Sequence, residues 1–175
     1  MPGVTVARPN ASEYAPFYAG YVAGVPEGDL IALLEQQGEE TVGLLGAISE
    51  DKSDHRYAPG KWTIREVLGH VIDAERVFTY RALTFARGDA GPLPSFDENA
   101  WAANSNAGGR TMQQLLAEYR AVRGATLALL RSFGKEEFAR SGVASKNPVT
   151  VRALAYIVAG HERHHLKILR ERYLS

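Results

Sequence analysis

The chain has 175 residues, 20 Lys and Arg against 20 Asp and Glu, five His and no Cys, a length that fits one domain with a self-sufficient core. Balanced charge removes the electrostatic footprint of a nucleic-acid binder, and the missing cysteines exclude disulfides, thiolate metal sites and a protein thiol nucleophile. With no apolar run near the ~18 residues of a membrane span and no hydrophobic signal region in the first ten residues, the expectation is a cytoplasmic enzyme or small-molecule binder, without membrane or nucleic-acid partners.

Residues 1–28 hold Tyr14, Phe17, Tyr18 and Tyr21 between prolines and glycines. They read as an arm packed on the rest, so that residues 1–175 form a single domain. Four helical segments follow, and no segment shows sustained period-2 alternation. The first, about 29–49, places Leu30, Leu33, Leu34, Leu44, Leu45 and Ile48 on one face. The second, about 63–87, opens on the capping-box pattern Thr63-x-x-Glu66 and carries Ile64, Val67, Val71, Phe78, Ala82 and Phe85. The third, about 111–133, buries Met112, Leu115, Tyr119, Val122, Leu129, Leu130 and Phe133. The fourth, about 150–173, follows Asn147-Pro148 with Val151, Leu154, Ile157, Val158 and Leu169. Four amphipathic helices of this length predict an all-α four-helix bundle. Residues 88–110 are too long for an ordinary structureless connection. They can cross the bundle, which makes helices two and three parallel and the topology up-down-down-up.

Four of the five histidines fall on two of these helices. At about 100° per residue, His161 and His165 lie near the middle of the fourth helix's apolar stripe. Their i, i+4 spacing stacks them one above the other. His70 lies on the shoulder of its own stripe, and with antiparallel helices all three meet at similar depth. Zinc and similar cations take neutral imidazoles, and three protein ligands with an open position is the catalytic pattern. The competing reading is a pair of hydrogen-bonded core histidines and a separate surface one. His164 points to the stripe's edge and His55 lies in a polar connection, so both read as bystanders. His161-Glu162-Arg163-His164-His165 also spells H-E-x-x-H, the zinc-peptidase signature. Ile168 and Glu171 stand where its extended form needs Gly and His, which argues against a peptidase.

Larger stretches carry a resemblance. They are Tyr57-Ala58-Pro59-Gly60-Lys61-Trp62-Thr63-Ile64-Arg65-Glu66-Val67-Leu68-Gly69-His70, Asp73-Ala74-Glu75-Arg76, Ala86-Arg87-Gly88-Asp89 and Gly160-His161-Glu162-Arg163-His164-His165. With them the chain resembles, over nearly its whole length, the DinB/YfiT-like superfamily of metal-binding four-helix bundles. The resemblance implies an up-down-down-up bundle, a homodimer, and a divalent metal, zinc or nickel, on histidines matching His70, His161 and His165. It also implies a small-molecule substrate, since several members resemble transferases or isomerases that use a low-molecular-weight thiol. Others in the superfamily are labelled metal-dependent hydrolases.

Three functions stay open. In a metal-dependent S-transferase the sulfur must come from a thiol cofactor, because the chain has no cysteine. Lys61 and Arg110, beside the N-termini of helices two and three, could hold its carboxylates; the alternative is that both are ordinary solvated charges. A metal-dependent hydrolase would need a carboxylate base. Glu162 and Asp73 are the candidates, against a reading as helix-surface ion pairs or as hydrogen-bond partners of a histidine. A non-enzymatic metal or small-molecule binder keeps the same three ligands. Trp62, Trp101, Phe96 and Tyr57, in or beside connections at the metal end, could line an apolar substrate pocket or simply pack on the bundle.

Overall fold

The long helices begin where the sequence supplies a capping side chain. The computed structural model describes residues 5–175. In chain order its helices are α1 (Ala19–Ala23), α2 (Leu30–Gly46), α3 (Glu50–Ser53), α4 (Ile64–Ala86), α5 (Glu98–Asn104), α6 (Met112–Arg131) and α7 (Lys135–Ala139). A hairpin of β1 (Ser141–Ala144) and β2 (Asn147–Thr150) then leads into α8 (Val151–Ile168), which widens into a π-helical turn, Leu169–Tyr173. Asp29 caps α2 by accepting from the Ile31 amide. Thr63 and Glu66 close a reciprocal capping box on α4, at 3.1 and 2.7 Å, and Thr111 and Gln114 do the same on α6. Thr150 caps α8 through the Ala153 amide. These bonds satisfy amides that the first helical turn leaves without partners.

The apolar core is in two parts. One holds Leu30 and Leu34 of α2, Phe78, Ala82 and Phe85 of α4, Leu130 of α6 and Leu154 and Ile157 of α8. The other holds Leu45 of α2, Ile64 to Ile72 of α4, Leu115 to Val122 of α6 and Leu166 of α8. Thus α2 and α8 pass from the first part to the second, while α4 and α6 pass from the second to the first. Buried polar residues lie near where the parts meet: Gln37, Thr41, Glu75, Arg123, His161 and Glu162.

Three local features depart from the sequence expectation. The inner face of α2 includes Gln37, Gly38 and Thr41, whereas Leu33, Leu44 and Ile48 are only half-buried. Residues 88–110 carry α5, capped by Asp97, and a 3-10 turn, Ala107–Gly109. The hairpin is antiparallel, with Ser141 opposite Thr150 and Ala144 opposite Asn147. Its turn places Ser145 and Lys146 at φ 50° and 66°, a conformation usually signalled by Gly or Asn.

The arm lies along α8. Arg8 donates to the carbonyls of Val22 and Val25, both at 2.7 Å, and covers the Tyr156 ring. Gly160 lets α1 approach: a Cβ there would fall 2.1 Å from the Tyr21 carbonyl oxygen. No side-chain rotation relieves a clash with backbone, so Gly160→Ala is expected to cost about 2–3 kcal/mol by displacing α1. Thermal unfolding checks this, and an unchanged Tm would contradict the close packing.

A second tie is Glu13, which accepts from Arg152 and, at 2.8 Å, from the Thr150 hydroxyl. The hydrogen bond from Arg152 leads in lowering the Glu13 carboxyl from 4.5 to about 2. A depressed folded-state pKa gives stability that is present above pH 4.5 and is lost as the pH falls through 2. Glu13→Gln should therefore lower stability by about 1 kcal/mol at pH 6, allowing for solvent screening. That difference from the parent should vanish near pH 2, measured by urea unfolding across the pH range.

Candidate metal centre

The three histidines converge. His70 sits two turns into α4, held in register by the Thr63 cap, and His161 and His165 stand one turn apart on α8. His161 Nε2 lies 2.9 Å from His70 Nε2 and 3.2 Å from His165 Nε2, and one ligand nitrogen from each ring falls within 4.8 Å of the others. His70 and His161 are buried and His165 is half-buried, so the cluster reaches the surface on the His165 side. The Trp62 ring leans over His70 at 4.8 Å and stacks at 27° on His165. Tyr21 and Phe78 meet His161 edge-on at 5.5 and 5.6 Å. Tyr173 holds the Trp62 backbone by donating to its carbonyl.

Burial sets the charge state. Desolvation pushes His70 down to about 4 and His165 to about 3. His161 falls well below its ordinary value, first by desolvation and then by its histidine neighbours. All three are therefore neutral at physiological pH, the form in which imidazole ligates a metal. The spacing also fits. Nitrogens bound tetrahedrally to one zinc ion at ~2.0–2.1 Å stand roughly 3.3 Å apart, close to the two separations here. Neutrality, convergence and spacing together suit a divalent cation.

The other sequence candidates are placed differently. Arg110 pairs with Glu118 at 2.5 Å, and Arg76 shares that carboxylate. Lys61 is exposed, its ammonium 5.9 Å from the Tyr57 ring. His164 is exposed beside Tyr21, and His55 packs against Tyr173, so neither joins the cluster. Of the four aromatics, Trp62 alone touches the histidines. Phe96 and Trp101 pair with each other in a groove of about 400 Å³ that Asp73, Val77, Tyr80 and Leu93 also line. Tyr57 packs on Tyr173.

Glu162 is the main correction. It is neither a surface ion pair nor a partner of the histidines. Its carboxylate is buried and accepts from Gln37, Thr41, Tyr119 and Arg123. Arg123 spans to Glu75 at 2.8 and 2.9 Å and to the Leu34 carbonyl at 2.9 Å. The H-E-x-x-H spelling thus supplies two histidines to one side of α8 and its glutamate to another. Asp73 is half-buried, which raises its carboxyl, and lies 3.8 Å from Arg76. Among the described residues no carboxylate hydrogen-bonds the three rings.

The fold is thus a helical bundle in which three convergent imidazoles come from two packed helices, α4 and α8. The chain belongs to the DinB superfamily, whose sequence model matches residues 33–169. It is 22% identical over 143 residues to the "Putative metal-dependent hydrolase YfiT" of Bacillus subtilis, covering 81% of this chain and 80% of that protein. It is 25% identical over 124 residues to a like-named protein of Oceanobacillus iheyensis, covering 70% of each. A solved structure of the Bacillus subtilis protein superposes with a TM-score of 0.74 at 21% identity, over 90% of this chain and 93% of that one. It is described as "a probable metal-dependent hydrolase with an unusual four-helix bundle topology", and at that identity the likeness carries the four-helix bundle fold.

Proposed function

We propose that the chain binds one divalent cation, zinc or nickel, on His70, His161 and His165, and uses it to activate a small nucleophile. The observation that carries this is the meeting of three neutral Nε2 atoms in a pocket that disfavours protonation. We read the bundle as up-down-down-up, supported by the opposite order in which the helix pairs α2/α8 and α4/α6 cross the two core parts. A cation held there supplies Lewis acidity, lowering the pKa of a thiol or a water molecule.

The chain's own residues do the rest. Three imidazoles bind, while Tyr21 and Phe78 wall His161 and Trp62 flanks His70 and His165; half-buried His165 is the most open of the three. Among the described residues no carboxylate hydrogen-bonds the three rings: Glu162 is committed to its buried partners, and Asp73 lies in the groove of Phe96 and Trp101. That favours a low-molecular-weight thiol as the nucleophile, since a thiol ionises more readily than water and needs less help. The chain then acts as a transferase on a small electrophilic substrate. Lys61 is the nearest free cation in sequence to the α4 cap and the candidate to hold a thiol cofactor's carboxylate. A homodimer belongs to the same reading, and light scattering in solution measures it.

Hydrolysis is the second reading, favoured by the names of the two relatives. Thiols added to the cobalt-loaded protein separate the two. A new sulfur-to-metal charge-transfer band, with conjugation of an electrophile that rises as thiolate forms, is expected. Ester cleavage with no response to thiol would overturn the transferase in favour of the hydrolase. Binding of metal with no turnover of either kind would make the chain a binder.

A further inference from the structure

The buried charges beside the histidines have no part in that chemistry, yet they touch every helix of the bundle. Gln37 and Thr41 come from α2, Glu75 from α4, Tyr119 and Arg123 from α6 and Glu162 from α8. Every one is buried, with Glu162 1% exposed, Glu75 3% and Arg123 4%. Two carboxylates share one guanidinium in this layer. Burying such a set for stability alone is a poor bargain, since apolar residues of the same volume often serve as well or better.

We propose that Glu162 is the positioning residue of the metal centre, with Arg123, Tyr119, Thr41 and Gln37 as its clamp. Glu162 lies between His161 and His165 on α8, about 100° around the helix from His161. Four donors from two other helices fix its carboxylate, and so fix the rotation of α8 about its own axis. That rotation decides whether His161 and His165 face His70. Gln37 adds a second hold on the same turn by donating to the Ala159 carbonyl at 3.1 Å. Substitutions in a packed network that touch no ligand directly shift a coupled equilibrium by ~0.5–2 kcal/mol, or ~2–30-fold in affinity.

This rests on the metal reading, and the experiment separates the two. Zinc affinity by competition and the visible spectrum of the cobalt-loaded protein are measured for the parent, Glu162→Gln, Thr41→Val and Leu130→Ala. Leu130 is buried on α6 in the first part of the core, outside the polar layer, and serves as a control for lost stability. Glu162→Gln should bind zinc ~2–30-fold more weakly and shift the cobalt d–d bands, while Leu130→Ala lowers Tm and leaves affinity within about twofold of the parent. Thr41→Val removes one donor with little change of shape, should weaken binding severalfold, and decides the matter if Glu162→Gln does not fold. Parent-like affinity and spectrum in Glu162→Gln, or in Thr41→Val where that variant decides, would overturn the positioning role alone. A parent chain that takes up no zinc would overturn the metal centre itself.

Discussion

Arg123→Ala is expected to destabilise the folded chain by about 3–5 kcal/mol, the usual cost of removing one partner from a buried ion pair. Arg123 is 4% exposed and is the shared partner of Glu75 and Glu162. Without it two carboxylates stay buried with no countercharge, and the Leu34 carbonyl loses a donor. Glu75 then loses both of its side-chain donors, and Glu162 keeps only those from Gln37, Thr41 and Tyr119, too little to offset the burial of both groups. Against a total stability of roughly 5–15 kcal/mol for a domain, this is a large share. Urea unfolding at neutral pH measures it. A loss under 1 kcal/mol would mean that the carboxylates find other partners. The apolar triple replacement of Glu75, Arg123 and Glu162 should lose far less stability than Arg123→Ala, because no charge is then stranded.

The second large effect is on metal content. His161→Ala should reduce bound divalent metal from about one per chain to almost none, while helicity by circular dichroism stays near the parent's. His161 is the hub of the cluster, with its Nε2 facing both of the other rings. Two remaining histidines on separate helices leave a site that holds a dication poorly. The core is two apolar clusters to which all four long helices contribute, so the fold does not depend on the ion as a zinc finger does. His164→Ala, one turn from Gly160 and outside the cluster, should keep full occupancy. Full occupancy in His161→Ala by elemental analysis would contradict the three-histidine site.

Much of this was legible in the sequence because it is local. The Thr63–Glu66 cap depends on two side chains one turn apart, and the helix starts near 29, 111 and 150 follow from the onset of each apolar stripe. The histidines were legible because i, i+4 spacing and helix depth follow from helix geometry alone. Glu162 was not, because its burial depends on Gln37, Thr41, Tyr119 and Arg123, which lie far away in sequence. A signal was present in retrospect: Gln37 and Thr41 interrupt an apolar face at i, i+4, at the level where Arg123 and Glu75 do the same. The hairpin was hidden because each strand is four residues long and its turn uses Ser145 and Lys146 at positive φ. Tyr57, Phe96 and Trp101 were grouped with Trp62 by their place near one end of the bundle. Only the folded connections show that Phe96 and Trp101 line a separate groove.

The central claim is that one divalent ion sits on His70, His161 and His165. X-ray absorption at the metal edge of the zinc- or nickel-loaded chain tests it most directly. For zinc, the predicted spectrum has three imidazole nitrogens at ~2.0–2.1 Å with the remaining position held by a light, exchangeable ligand, at one ion per chain. Fewer than three imidazoles in the spectrum, or the same spectrum from His70→Ala, would contradict it.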